Sequence, residues 1–291
     1  MLYQKFGFMS LFLLCSSVGA MSQQDSAFHR SDTLKVGGFV IITDGSVKNN
    51  TKNWSNYNSF NKISISRPAK KNKTTSTNWF IFDLGFANYR DQTNYTNAQA
   101  GNYLKIMRPG DAPINESSTT LNTGKSSNVN IWFFMQRVSL SKNVLNIKYG
   151  LGLEMYNFRY DSKISFRNAP APMAFTDSIG FTKNKLYAGY ITVPFMLNLN
   201  TKPGTRKGLI LSAGMSAGYL LASRNKQISG ERGKQKYRGD LALEPWRLAA
   251  IGEIGLGPVR LYGSYSLNTL QKSYTRMEQY PYTIGIRFST W

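Results

Sequence analysis

The stretch that decides the fold is Asn128 to Tyr160, NVNIWFFMQRVSLSKNVLNIKYGLGLEMYNFRY. From Leu145 to Met155 its odd positions are apolar, whereas its even positions carry Asn, Lys, Gly or Glu. This period of two is typical of a β-strand with one apolar and one polar face. The run reaches the roughly 10 residues that a tilted strand needs to cross a bilayer. A turn no longer than Ser141-Lys142-Asn143 separates it from the run Asn130 to Leu140, so the stretch predicts one long β-hairpin.

The same alternation recurs in six further segments, approximately 78–89, 187–199, 209–221, 246–256, 259–268 and 282–288. The connections between the eight segments alternate regularly in length. Long ones cover about 91–127, 161–183, 223–243 and 269–280, and short ones cover 141–143, 200–207 and 257–258. A soluble sandwich gives no reason for this sorting, whereas outer-membrane barrels have long exterior loops and short periplasmic turns. We therefore predict an all-β protein, a transmembrane antiparallel up-and-down β-barrel of eight strands over residues 78–291.

The amino-terminal part of the chain predicts export. Residues 1–20 have Lys5, an apolar run and a small-residue end at Ala20, as a secretory signal peptide does. Cys15 is the only cysteine and would leave with this peptide, so we expect no disulfide. The predicted destination is the outer membrane, after passage through the inner membrane.

Residues 21–77 predict a short periplasmic arm with one or two short strands. The candidates are the run Leu34 to Thr43, LKVGGFVIIT, and the shorter run Asn61 to Ser66, NKISIS. If both joined the barrel, it would have ten strands. That alternative stays open on the sequence alone.

The barrel geometry places a set of charged residues inside. With the apolar rows facing lipid, the inward rows carry Asp83, Lys148, Glu154, Arg247, Glu253, Arg260 and Arg287. Eight strands leave room for side chains and hardly any for an aqueous pore. We expect the opposite charges to pair across the lumen as a structural plug, since buried ions need partners. A proton or ion path is the functional alternative.

The exterior segments predict two further features. Six aromatic side chains fall near the outer rim and predict an interfacial girdle: Phe158, Tyr160, Tyr187, Tyr219, Trp246 and Tyr282. The third long loop holds six cations that predict an anion-binding surface: Arg224, Lys226, Arg232, Lys234, Lys236 and Arg238. A solvated charged loop is the alternative interpretation.

The net charge of +21 points to an anionic partner. Because an exported chain does not meet nucleic acid by default, we expect outer-membrane lipid, including lipopolysaccharide phosphates, or an acidic protein partner. No catalytic, cofactor or metal site is expected. His29 is the only histidine and lies upstream of the barrel, and no nucleophile elbow, phosphate-binding loop or metal-ligand spacing is present.

Several segments together resemble a known family. The hairpin SKNVLNIKYGLGLEMYNFRY, the runs LYAGYITVPFMLNLN and AGMSAGYLLASRNK, and the ending YTIGIRF resemble the PorT-like outer-membrane β-barrel proteins of Bacteroidetes. The resemblance implies location and fold more than activity. We expect a structural or interaction module that acts through its exterior loops. Some members of that family belong to secretion or gliding machinery. The alternative is therefore a component of a secretion or transport assembly that docks through the periplasmic arm.

Overall fold

The computed structural model describes residues 32–36, 39–43, 74–203 and 208–289. The chain divides into two compact units, Met1–Lys71 and Asn72–Trp291. The predicted signal peptide, His29 and the run 61–66 lie outside the described residues. Among the described residues, no helix combines the length and hydrophobicity needed to cross a membrane.

The first unit contains a small antiparallel hairpin. Its strands are β1 (Asp32–Val36) and β2 (Phe39–Thr43), with Asp32 opposite Thr43 and Val36 opposite Phe39. The prediction of one continuous strand from Leu34 to Thr43 is therefore wrong. The sequence carried the signal, because a Gly-Gly pair between two β-forming runs marks a hairpin.

The second unit contains the remaining strands, which are β3 (Thr75–Asp91), β4 (Leu104–Lys105), β5 (Ser127–Ser141), β6 (Leu145–Tyr160), β7 (Ile164–Arg167), β8 (Met173–Thr176), β9 (Lys183–Asn200), β10 (Leu209–Ser229), β11 (Gly233–Arg238), β12 (Trp246–Leu256), β13 (Val259–Ser266) and β14 (Gln279–Phe288). Helices α1 (Tyr95–Gln99) and α2 (Glu116–Thr119) and two 3₁₀ turns (Thr123–Lys125 and Ser273–Thr275) lie between strands.

Eight of these strands form a closed antiparallel ring. The order is β3, β5, β6, β9, β10, β12, β13 and β14, and β14 pairs back with β3. The eight-stranded barrel is confirmed. The ten-stranded alternative is wrong, because β14 meets β3 directly and the described strands β1 and β2 pair with each other.

The apolar rows face outward along the barrel wall. On β9, Val193, Phe195 and Leu197 are each at least half exposed, whereas Met196 and Asn198 between them are buried. Exposing such rows to water would cost free energy in proportion to their apolar area, and hydrocarbon removes that cost. The ring also pairs its backbone groups between strands, as a chain in hydrocarbon must.

Strand β10 runs further than its hydrophobic pattern. It continues to Ser229, pairs with β9 throughout and forms a hairpin with β11, so the prediction of a loop over residues 223–243 is wrong. Beyond Leu221 the outward residues are Ala222, Arg224, Lys226 and Ile228, so two cations interrupt the apolar row. The strand continues where the apolar alternation ends.

The prediction of an aromatic girdle is correct for three of its six residues and wrong for Phe158 and Tyr160. Tyr219, Trp246 and Tyr282 are exposed on the outer wall, and the Tyr219 and Trp246 rings lie 5.0 Å apart. Phe158 and Tyr160 are buried inside the barrel. They are in phase with Lys148 and Glu154, so strand alternation sends them inward. Tyr187 is half-buried beneath the Arg224 guanidinium, 4.4 Å from its ring centroid.

Pro194 lies in the middle of β9, where its missing N–H predicts a bulge or an edge. The structure shows neither. Pro194 is opposite Ser216 of β10, and pairing with β6 passes from Tyr149–Phe195 to Gly152–Thr192 without a register shift. The pairing of β6 with β9 is interrupted at Pro194 and continues in the same register, and this interruption accommodates the proline.

Two glycines bring β3 and β14 close together inside the barrel. Gly85 and Gly285 are directly opposite, and a Cβ on Gly285 would lie 2.3 Å from the Leu84 carbonyl oxygen and 2.7 Å from the Tyr262 ring. The Tyr262 ring therefore occupies the space that two side chains would need.

We expect Gly285→Val to destabilise the barrel by roughly 1–3 kcal/mol through overpacking. The matched control is Gly263→Val, because a Cβ at Gly263 meets its nearest atom at 3.5 Å. Urea unfolding in phospholipid vesicles, followed by heat-modifiable gel migration, measures the difference. Equal unfolding midpoints for the two variants would contradict the packing argument.

Candidate functional site

The lumen holds a connected set of ion pairs centred on Glu253 of β12. Its carboxylate accepts hydrogen bonds from Lys148 Nζ, from Arg260 Nη1 at 2.9 Å and from Arg287 Nη1 at 2.7 Å. Ser212 Oγ donates a fourth at 2.8 Å. One buried carboxylate thus links four other strands, β6, β10, β13 and β14.

Arg287 extends this cluster to Asp83 on β3. Its Nε and Nη2 donate to the two carboxylate oxygens of Asp83 at 2.8 and 2.7 Å, a bidentate pair. Asn130 and Trp132 on β5 also donate to Asp83, at 3.1 and 2.7 Å. Asp83 is completely buried, and its charge is matched by these donors.

A second ion pair joins β6 to β12. Arg247 Nη1 donates to Glu154 Oε2 at 2.7 Å, and Thr192 Oγ1 donates to the same oxygen at 3.2 Å. The other nitrogens of Arg247 donate to Ser266 and Ser264 of β13, at 3.0 and 3.1 Å. This arginine therefore has hydrogen-bond acceptors on three sides.

The structure brings all seven predicted lumen residues into these two clusters. Their alternation in sequence placed them inside, and the strand order determined which of them meet. The set contains four cations and three carboxylates, each carboxylate facing at least one cation within 2.9 Å. Buried ions at this geometry compensate much of each other's desolvation cost.

Sequence reasoning missed the aromatic side chains that line the same space. The Arg287 guanidinium lies 5.2 Å from the Trp132 ring and 5.6 Å from the Tyr262 ring, and Arg247 lies 4.9 Å from the Tyr156 ring. Tyr156 was visible in the inward row of β6. Trp132 was harder to place, because the register of β5 shifts between Trp132 and Phe134.

An apolar core closes the end of the barrel that carries the long loops, which the sequence predicts to be the exterior end. Tyr156, Phe158, Tyr160 and Tyr190 point inward from the wall, and loop residues pack on them, including Tyr103, Leu104, Ile114, Phe166, Leu241 and Leu270. Strands β4, β8 and β7 form a small sheet within this cap. The predicted long loops therefore fold over the mouth of the barrel.

Hydrogen bonds join the four exterior loops to one another. Ala174 N donates to Tyr103 O at 2.9 Å, Tyr103 Oη to Leu241 O at 3.3 Å, and Glu244 N to Leu270 O at 2.9 Å. Arg276 Nη1 completes the circuit by donating to Asn97 O at 3.1 Å. These contacts make the cap a single packed layer.

The six predicted exterior cations are distributed over the hairpin of β10 and β11. Arg224 and Lys226 lie on β10, and Lys234, Lys236 and Arg238 lie on β11. Arg232 differs from the others, because its Nη1 donates to Asp177 Oδ2 at 2.9 Å. Burial favours a higher pKa for Asp177, but the Arg232 hydrogen bond and charge hold that pKa below its ordinary value. Arg232 thus has a structural partner in the cap.

One small cavity lies inside the lumen. A cavity about the size of one water molecule lies between the two ionic clusters, lined by Asn130, Glu154, Tyr262 and Arg287 among others. In the part of the chain that the structure describes, no group of three His, Cys, Asp or Glu side chains could hold a metal ion.

The closed ring, its apolar outer rows and its packed charged interior define a transmembrane β-barrel with a filled lumen. Residues 87–273 match the family model described as outer membrane protein beta-barrel domain. Since the match covers well over half of the chain, the protein belongs to this family and is an integral outer-membrane protein. No curated protein sequence matches the chain.

Removing the central carboxylate tests the lumen network. We expect Glu253→Ala to lower the free energy of unfolding by about 3–5 kcal/mol, because three buried cations lose their shared counter-charge. Glu231→Ala, which removes an exposed carboxylate from a turn, is the control. The measurement is urea unfolding in phospholipid vesicles.

The double variant Glu253→Ala/Lys148→Met measures the coupling between these two residues. We expect it to lose less stability than the sum of the two single changes, since the second change removes one of the stranded cations. Additive losses, or a Glu253→Ala effect equal to that of the control, would refute the coupling.

Proposed function

We propose that this protein is a closed, non-conducting barrel that acts as a structural or interaction module at the cell surface. The observation that carries the proposal is the double closure of the barrel interior. Paired charges fill the lumen, and the apolar cap covers the exterior mouth. The surfaces left for interaction are the outer face of the cap and the basic hairpin of β10 and β11.

The proposal does not assign catalysis. The seven lumen charges bond to one another and to neighbouring polar side chains, and the aromatic cap separates them from the exterior solution. Known barrel hydrolases and acyltransferases use a histidine near the rim. The barrel sequence contains no histidine, because the only one, His29, lies upstream of it. An anionic partner fits the charge of the exterior hairpin.

We further propose that the chain belongs to the PorT-like barrels of Bacteroidetes. The support is the resemblance of the segments SKNVLNIKYGLGLEMYNFRY, LYAGYITVPFMLNLN, AGMSAGYLLASRNK and YTIGIRF. In the structure these segments correspond to parts of β6, β9, β10 and β14.

A conductance measurement tests the closed barrel. We expect the purified protein to produce no stable conductance steps in a planar bilayer, whereas a 16-stranded porin in the same bilayer produces them. Insertion is checked separately by heat-modifiable migration and protease protection. Reproducible voltage-independent steps from folded protein would overturn the proposal.

A secretion or transport assembly remains the second candidate, and the β1–β2 hairpin favours it. A folded hairpin in a unit of its own offers a defined surface for docking. If it docks, pull-down from detergent-solubilised outer membrane recovers a partner with the full chain and loses it on deletion of residues 21–71. That deletion leaves β3 intact, since β3 begins at Thr75. An identical set of captured proteins would argue against docking.

A further inference from the structure

A row of like charges crosses four neighbouring strands on the outer wall of the barrel. Arg159 of β6 is directly opposite Lys185 of β9, Lys185 is opposite Lys226 of β10, and Lys226 is opposite Lys236 of β11. With strands about 4.8 Å apart, the four cations cover roughly 14 Å. We name these four residues the cationic row.

The cationic row faces outward, away from the lumen and the cap core. Its neighbours along the strands, Leu186, Asn225 and Gln227, are buried and face inward, so the row lies on the opposite face. Lys185 is in the same phase as the lipid-facing Val193 and Phe195 further along β9. The row therefore lies on the wall just beyond the apolar band, at the level of membrane headgroups.

Two more arginines lie one outward position closer to the membrane. Arg224 and Arg238 are directly opposite each other, and Arg224 stacks on Tyr187 at 4.4 Å from the ring centroid. Since successive outward positions on a strand are about 7 Å apart, these arginines and the cationic row form a two-tiered patch.

The patch has no anionic partner within the described part of the chain. None of its six cations forms an ion pair with a carboxylate there, and the Nε atoms of Arg159 and Arg224 meet no acceptor among the described residues. Like charges directly opposite each other destabilise a sheet.

We propose that this patch binds the phosphate groups of a phosphorylated glycolipid in the outer leaflet. The inference rests on the proposed interaction function and locates its site on the wall. Arginine and lysine suit phosphate through charge-assisted hydrogen bonds, and several of them in line match a headgroup with more than one phosphate. The patch faces outward beside the apolar band, where it would meet lipid headgroups. A soluble acidic protein would instead approach the cap from the solution, so the position favours a lipid.

The site differs from the loop that the sequence predicts. It includes Arg159 and Lys185, which lie on strands β6 and β9. It leaves out Lys234 and also Arg232, which bonds to Asp177. Only the pairing of four strands brings its members together.

Native mass spectrometry of the detergent-solubilised full chain, titrated with diphosphorylated lipid A, tests the proposal. The test variant is Lys185→Gln/Lys226→Gln/Lys236→Gln. The control is Lys105→Gln/Lys125→Gln/Lys163→Gln, which removes the same charge from exposed lysines of the other exterior loops. We expect the test variant to bind on the order of 100-fold more weakly and the control to bind as the wild type does. Heat-modifiable migration verifies that both variants fold.

Two further probes identify the ligand chemistry. We expect dephosphorylated lipid A to bind far more weakly than the diphosphorylated form, and inorganic pyrophosphate at equal concentration to leave the bound glycolipid in place. Equal binding of the dephosphorylated lipid, displacement by pyrophosphate, or equal weakening in both lysine variants would each overturn the proposal. A barrel that fails this test and yet shows no conductance would retain the proposed closed-module function.

Discussion

The backbone of a chain in hydrocarbon must pair all its N–H and C=O groups internally, and this constraint explains most of the architecture. A sheet meets the constraint only by closing, which here requires β14 to return to β3. The contact of Gly85 with Gly285 at this seam shows how closely the last and first barrel strands approach. Closure then determines which face of each strand meets lipid and which meets the lumen.

The charged interior follows from this closure. An eight-stranded barrel is too narrow for bulk water, so a charged inward side chain needs partners among its neighbours. Glu253 and Asp83 meet this requirement by sharing Arg287, and the resulting bonds join strands that are distant in sequence. The same bonds that neutralise the charges therefore also hold the ring in register.

The exterior end is organised differently, because water is available there. Aromatic side chains from the wall and the loops form a cap with an ordinary apolar core. On the outer wall, β9 and β10 extend past the apolar band and carry outward-facing cations. The result is a barrel whose three inward carboxylates are all paired with cations, and whose outer wall carries a patch without an anionic partner among the described residues.

The sequence by itself determined the fold class, eight of the barrel-forming segments, and the inward position of the seven charged residues, because a period of two assigns each side chain to one face. The choice between eight and ten strands came from the structure, where β14 closes on β3. It misplaced Phe158 and Tyr160, although their phase with Lys148 already assigned them to the interior. It also ended β10 too early, since pairing with β9 and β11 sustains a strand after its apolar alternation stops.

Only the tertiary structure decided which residues meet. Lys148 and Glu253 lie 105 positions apart, and Arg159 reaches the cations of β11 only through two intervening strands. Such neighbours depend on strand order and register around a closed ring. Local alternation assigns a residue to one face of its strand. It does not specify the register between neighbouring strands, and the register determines which residues are in contact.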